Sequence, residues 1–260
     1  MAPRKARAIA VRPAMGVAAA RRAALREALE QVVDNAPGAA AGKDPEYLHQ
    51  LRVGARRLRA ALRVFRGTMR EVDVRTLRRA LRRLSAVTGP ARDWDVYARR
   101  RPAARRRRAA AHAALRRLLS GMQLWLLPRA KPRARQPLPE FARGVLDELD
   151  RVALRSGGID WTRAGKRHAL RIRLRRLRYA AEFLAGAFRA PEHELLIGIL
   201  KHLQDLLGEL NDFAVARRLE RKLKGKAPRR APGARERQLI AQLPVAWRRF
   251  AAAPRFWREK

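Results

Sequence analysis

Apolar residues recur along almost the whole chain at steps of three and four, the spacing of one helix face. No stretch sustains the every-second-residue alternation of a strand. Residues 17–34 follow the helical pattern and end near Asn35-Ala36-Pro37-Gly38. Asp44 and Pro45 then mark a start, an N-cap followed by proline at the first helical position, for a helix reaching Phe65 and Gly67. A third helix covers 71–88 and is predicted to stop at Gly89-Pro90. A fourth begins near Arg92 and, broken at Pro102, extends to about Leu127. Pro128, Pro132, Pro137 and Pro139 follow closely and read as a linker. Beyond it the pattern predicts helices over 139–155, 163–188, 192–207 and 211–224. A last helical stretch over 234–257 is interrupted by Pro244 and Pro254. The prediction is an all-α protein.

One of these helices is written twice. HQLRVGARRLR at 49–59 and HALRIRLRRLR at 168–178 share the pattern H-x-L-R-[VI]-x-x-R-R-L-R at an offset of 119 residues. Gly89-Pro-Ala-Arg92-Asp93 and Gly208-Glu-Leu-Asn211-Asp212 repeat at the same offset. Two motifs that keep their register are an internal duplication, not chance. The tandem order predicts two similar four-helix bundles related by a pseudo-two-fold axis, with the duplicated helices facing each other. The boundaries read as a mobile basic tail over 1–15, a first repeat over 16–127, a linker over 128–138 and a second repeat over 139–260.

On a helical projection each copy carries two seams. Leu51, Ala55, Leu58, Leu62 and Phe65 form an apolar one, matched by Leu170, Leu174, Leu177, Ala181 and Leu184. His49, Arg52, Arg56, Arg59 and Arg63 form a basic one beside it, matched by His168, Arg171, Arg175 and Arg178. The match fails at Arg63, whose counterpart is Glu182. Upstream of the Gly-x-x-[RN]-D segments, Arg82 and Lys201 also correspond and are candidates to line the same site. The segments themselves read as structural: Gly89 and Gly208 as left-handed helix stops, Asp93 and Asp212 as caps or as partners orienting an arginine.

Charge turns these seams into a functional hypothesis. The 260 residues carry 62 basic against 23 acidic side chains, a formal charge of +39, and 53 of the cations are arginine. So large an excess repels itself in a compact fold and calls for a polyanionic partner. Arginine's planar fork suits phosphate oxygens. A basic seam on a single helix is ordinarily a solvated face. Two seams in the same register, with few acids to neutralise either, form instead a ladder for a phosphate chain, one turn rising ~5.4 Å. The absence of cysteine excludes disulfides and Cys-ligated zinc and is compatible with a cytoplasmic location. No apolar run approaches the ~18 residues of a membrane span. The arginines around His49 and His168 disfavour a metal there, and phosphate hydrogen bonding is the better reading of both histidines.

HQLRVGARRLRAALRVF and RHALRIRLRRLRYAAEFL, with LRRLSAVTGPARDWDV and LKHLQDLLGELNDFAVA after them, strongly resemble the duplicated motifs of the CHAD domain, the conserved histidine α-helical domain. The resemblance spans about 16–257. It implies two four-helix bundles around a basic central cavity, binding of long-chain inorganic polyphosphate there, and in many members localisation to polyphosphate granules. By motif its ligands would be His49, Arg52, Arg56, Arg59, His168, Arg171, Arg175 and Arg178. No Glu-x-Glu-x-Lys strand of the triphosphate-tunnel enzymes fused to some members occurs, and neither does a P-loop. The expectation is therefore a non-catalytic binding module without cofactor or metal, with inorganic polyphosphate as partner, nucleic acid as a further, non-specific one, and no membrane. The runs Arg99–Arg101 and Arg105–Arg108 have no counterpart in the second repeat and read as a solvated face.

Overall fold

The computed structural model describes residues 2–98, 104–120, 136–188, 192–224 and 232–258. Among them run eight α-helices and no strand: α1 Val17–Ala41, α2 Pro45–Val64, α3 Glu71–Ala98, α4 Arg105–Ser120, α5 Leu138–Leu154, α6 Ala164–Leu184, α7 His193–Lys224 and α8 Ala234–Ala252. Short 3₁₀ turns follow α2 and α6. No helix of the described residues is long and apolar enough to cross a membrane.

The chain divides into two compact units, Met1–Ala10 with Met15–Gln136 and Val11–Ala14 with Pro137–Lys260. In the first, α1 packs on α2, α2 on α3, α3 on α4 and α4 back on α1, closing a four-helix bundle. Alanines at 20, 24 and 28 bring α1 close to α2, and a Cβ at Gly54 would lie 3.0 Å from Val32. In the second unit α5, α6, α7 and α8 pack in chain order. The segment after α8 returns to α5, where Arg255 grips the buried Asp150 carboxylate at 2.9 and 3.0 Å. Trp257 donates its indole N–H to Asp147 at 2.9 Å and accepts from Arg143 at its carbonyl.

Several helices outrun the sequence pattern. α1 continues through Pro37 and ends at Gly42, which takes the left-handed conformation (φ 69°) and donates its N–H to the Gly38 carbonyl. The Tyr47 ring lies 2.2 Å from where a Cβ of Gly38 would stand. α3 does not stop at Gly89-Pro90 but runs on to Ala98. Val74, Leu77, Leu81, Leu84, Thr88, Ala91 and Asp95 form one unbroken buried stripe across the proline, and burial of that stripe outweighs the missing hydrogen bond. α7 likewise passes through Gly208, and α8 through Pro244. Gly89 and Gly208 are thus helix-interior residues and not left-handed stops, positive φ among the described residues being found at Gly42 and Gly158. Nor do Asp93 and Asp212 cap a following helix.

Residues 2–15 are not a loose tail. The Arg4 guanidinium bridges Glu27, Glu30 and Asp34 of α1 at 2.7–2.8 Å, and its backbone exchanges two hydrogen bonds with the buried Asn35 side chain. The Arg7 carbonyl accepts from Arg57. Val11 packs in the second unit, its carbonyl oxygen 2.1 Å from where a Cβ of Gly186 would be. An acidic patch on α1 that suits one guanidinium fixes a segment whose own composition suggested mobility. The linker region falls largely outside the described residues.

Candidate phosphate-binding seams

In α2 the predicted apolar seam is fully sequestered: Leu51, Ala55, Leu58, Leu62 and Phe65 are each 4% exposed or less. That burial fixes the helix about its own axis and turns His49, Arg52, Arg56 and Arg59 to its flank, half-buried, with Arg63 exposed in the last turn. The partner of this flank is α3, running antiparallel. A Cβ on Gly89 would lie 3.6 Å from the Arg52 guanidinium, which also donates to the buried Thr88 hydroxyl at 3.3 Å. One end of the seam brings His49 beside the Arg92 charge. At the other end Arg59 donates to the Leu81 carbonyl at 2.6 Å, beside Arg82.

Crowding is the electrostatic character of this site. Burial pushes Arg52 down to about 10, and the charges of Arg56, Arg92 and Arg59 push the same way while Asp93 opposes them. Arg59 is lowered by burial and then by Arg56 and Arg82. On α3 Arg78 is lowered by burial and by Arg66, Arg63 and Arg82. His49 falls below its ordinary value through burial, with Arg92, Arg56 and Arg52 adding to the effect against Glu46. The buried Nε atoms of Arg56 and Arg59 have no hydrogen-bond partner. At Arg52 the charge of Asp93 opposes this crowding, whereas at Arg59 the neighbouring charges are those of Arg56 and Arg82. Cations crowded in this way suit a multivalent anion.

The second unit repeats the geometry. Leu170, Leu174, Leu177, Ala181 and Leu184 are buried, and the basic flank of α6 faces α7. A Cβ on Gly208 would lie 3.8 Å from the Arg171 guanidinium. His168 Nδ1 meets the Asn211 side-chain oxygen at 3.1 Å. Arg175 is half-buried on the same flank. Arg178 is held by Glu182, by Gln204 at 3.1 Å, and against the Tyr179 ring at 4.6 Å. Lys201 is exposed on α7 one turn before Gln204.

The duplicated Gly-x-x-[RN]-D segments therefore belong to the site. In both units the glycine leaves bare backbone opposite the first seam arginine, and the residue three positions on (Arg92 or Asn211) stands by the histidine. Asp93 acts on Arg52 by its charge, favouring the charged guanidinium. Sequence reasoning gave Arg92, Thr88, Arg78, Gln204 and Asn211 no place in the site. The signal for three of them was present: positions 82, 85, 89 and 92, and 201, 204, 208 and 211, step by three and four on one helix face at the same 119-residue offset. Arg105–Arg107 lie exposed on the first turn of α4, and Arg108 pairs with the buried Asp95, which also meets His112 at 2.7 Å. Arg99–Arg101 fall outside the described residues.

Comparison with known proteins agrees with this architecture. The family profile of the CHAD domain matches residues 23–221. The crystal structure of the CHAD domain from the plant Ricinus communis superposes with a TM-score of 0.73 at 29% identity, covering 98% of this chain and 99% of that one. PptA from Streptomyces chartreusis superposes at 0.62 with 17% identity, covering 94% and 100%, a likeness of fold. No curated protein matches the chain.

Proposed function

The chain belongs to the CHAD domain family, and on that premise we propose that it binds long-chain inorganic polyphosphate, without catalysis, along the basic seams of α2 and α6. One observation carries the reading. Arg52, Arg56, Arg59 and Arg92, all half-buried, and the exposed Arg82 are drawn together by the fold, so that the charges acting on Arg52 and Arg59 are mostly those of other arginines. Like charges held this close cost stability in the unliganded protein. A chain of phosphates relieves the cost over several turns, because each guanidinium fork takes a separate phosphate.

The histidines fit the same role. His49, held neutral by burial and by arginine charge, would gain a proton as phosphate oxygens approach and then donate to them. A catalytic reading has less support: along both seams acids that could hold a magnesium ion are few, and the phosphate-binding groups are side-chain cations without a P-loop. Polyphosphate granules are the corresponding place of action in the cell.

Calorimetric titration with long-chain polyphosphate, with duplex DNA at equal phosphate concentration alongside, tests the proposal. The expected result is tight binding of polyphosphate, weak binding of DNA, and loss of the former in Arg52→Ala/Arg171→Ala. Equal binding of both polymers, unchanged in the variant, would show that the +39 charge acts diffusely and would refute a seam site.

A further inference from the structure

We infer that Glu182 is an internal competitor for phosphate, which makes the α6 seam the weaker of the two. The inference rests on the polyphosphate reading and assigns an affinity-setting role to a residue outside the duplicated basic pattern. Arg178 is the last basic residue of its seam, and Glu182, one turn on, takes its guanidinium in an ion pair whose side chains are only 17% and 21% exposed. A carboxylate there offers the same charge-assisted oxygens that a phosphate would offer. Gln204 and the Tyr179 ring hold the guanidinium from other sides. The equivalent arginine of the first unit, Arg59, has instead a backbone carbonyl, an unpartnered Nε and two repelling arginines.

Helix stability does not account for the acid. Glu182 stands in the last turn of α6, where the carbonyl end of the helix disfavours negative charge. Its order, arginine before glutamate, is also the less favourable one for a pair four residues apart. The first unit keeps Arg63 at this position, a cation in the last turn of α2, as the helix dipole prefers. The exchange thus costs the helix locally and gains the contact with Arg178. An anion arriving at the α6 seam must displace a tethered carboxylate, whereas one arriving at the α2 seam displaces none from Arg59.

Tripolyphosphate, short enough to lie within one seam, is the probe for calorimetry on the full chain. Two unequal sites are expected in the wild type, the stronger lost in Arg56→Ala/Arg59→Ala. Glu182→Gln should tighten the weaker site roughly fivefold, the worth of a partly buried ion pair, and should have no effect in an Arg178→Ala background. Glu194→Gln, an exposed acid on α7 whose loss changes the net charge equally, should leave both sites unchanged. The inference fails if Glu182→Gln titrates like the wild type, absence of any short-chain binding in both included. It fails too if Glu194→Gln reproduces the effect, or if the Arg178→Ala background preserves it. Long-chain polyphosphate added to the wild type decides the underlying reading separately, since failure there leaves no site for Glu182 to tune.

Discussion

The two units build the same antiparallel helix pair and end it in opposite electrostatic states. In the first, the seam of α2 stays overcharged: Arg52 is pushed down to about 10, and Arg56 burdens His49, Arg52 and Arg59 alike. In the second, the last seam arginine is neutralised from within its own helix by Glu182. A duplicated scaffold conserves backbone geometry readily, because the apolar seam sets it. The charges it displays depend on single side chains and diverge one residue at a time. The overcharged copy resembles a site waiting for its ligand, and the neutralised copy one that already carries part of a substitute.

The largest test of this contrast removes seam arginines. Arg56→Ala/Arg59→Ala should weaken polyphosphate binding about a hundredfold, two charge-assisted contacts at ~1.5 kcal/mol each, whereas Arg178→Ala alone should cost less than about threefold. Calorimetry on both variants checks it, and equal losses would break the comparison. Next in size is a transplant. Arg63→Glu places in α2 the carboxylate that α6 carries, four residues after Arg59, and should lower affinity about tenfold by pairing with that arginine and removing a cation.

Stability in the absence of ligand should respond with opposite signs. Arg56→Met relieves three neighbours and removes a buried Nε without a partner, so thermal unfolding should show a gain of about 0.5–1 kcal/mol. Arg178→Met strands a partly buried Glu182 and should cost about 1 kcal/mol. The same sign for both would contradict the contrast.

The smallest effect is in pH. Because the folded-state pKa of His49 lies below its ordinary value, the folded protein binds fewer protons than the unfolded one between those two values. Stability without ligand therefore declines as pH falls below ~6.5 and levels off beneath the depressed pKa. A bound polyanion raises that pKa, so binding takes up a proton and affinity should rise roughly threefold from pH 8 to pH 6. Titrations in buffers of different ionisation enthalpy measure the uptake, and His49→Ala should reduce it.

Much of this is legible in the sequence. The 3–4 spacing placed the buried seams of α2 and α6 residue by residue, and Asp44-Pro45 fixed the start of α2, where the Asp44 side chain accepts from the Glu46 N–H at 2.8 Å. Helix ends were less legible. Gly89-Pro90 and Gly208 looked like stops, yet a stripe from Val74 to Asp95 and another through Leu196, Leu200, Leu203, Leu207 and Leu210 stay buried across them. Local propensity counts fractions of a kcal/mol to a few per residue, and continuous burial exceeds it. The N-terminal segment misled for the same reason: its composition cannot reveal that Glu27, Glu30 and Asp34 converge on Arg4.

The sequence by itself determined that the protein is helical, that one basic amphipathic helix occurs twice, and which of its faces must be buried, because helical periodicity and duplication are properties of order along the chain. Only the tertiary structure decided what stands across from each seam. Antiparallel packing brings Gly89 and Thr88 to Arg52, Arg82 to Arg59, and Asn211 to His168 over separations of 20 to 45 residues. Whether an arginine is crowded or compensated is set by those neighbours, since charge interactions act through space over a few ångströms and take no account of distance along the chain.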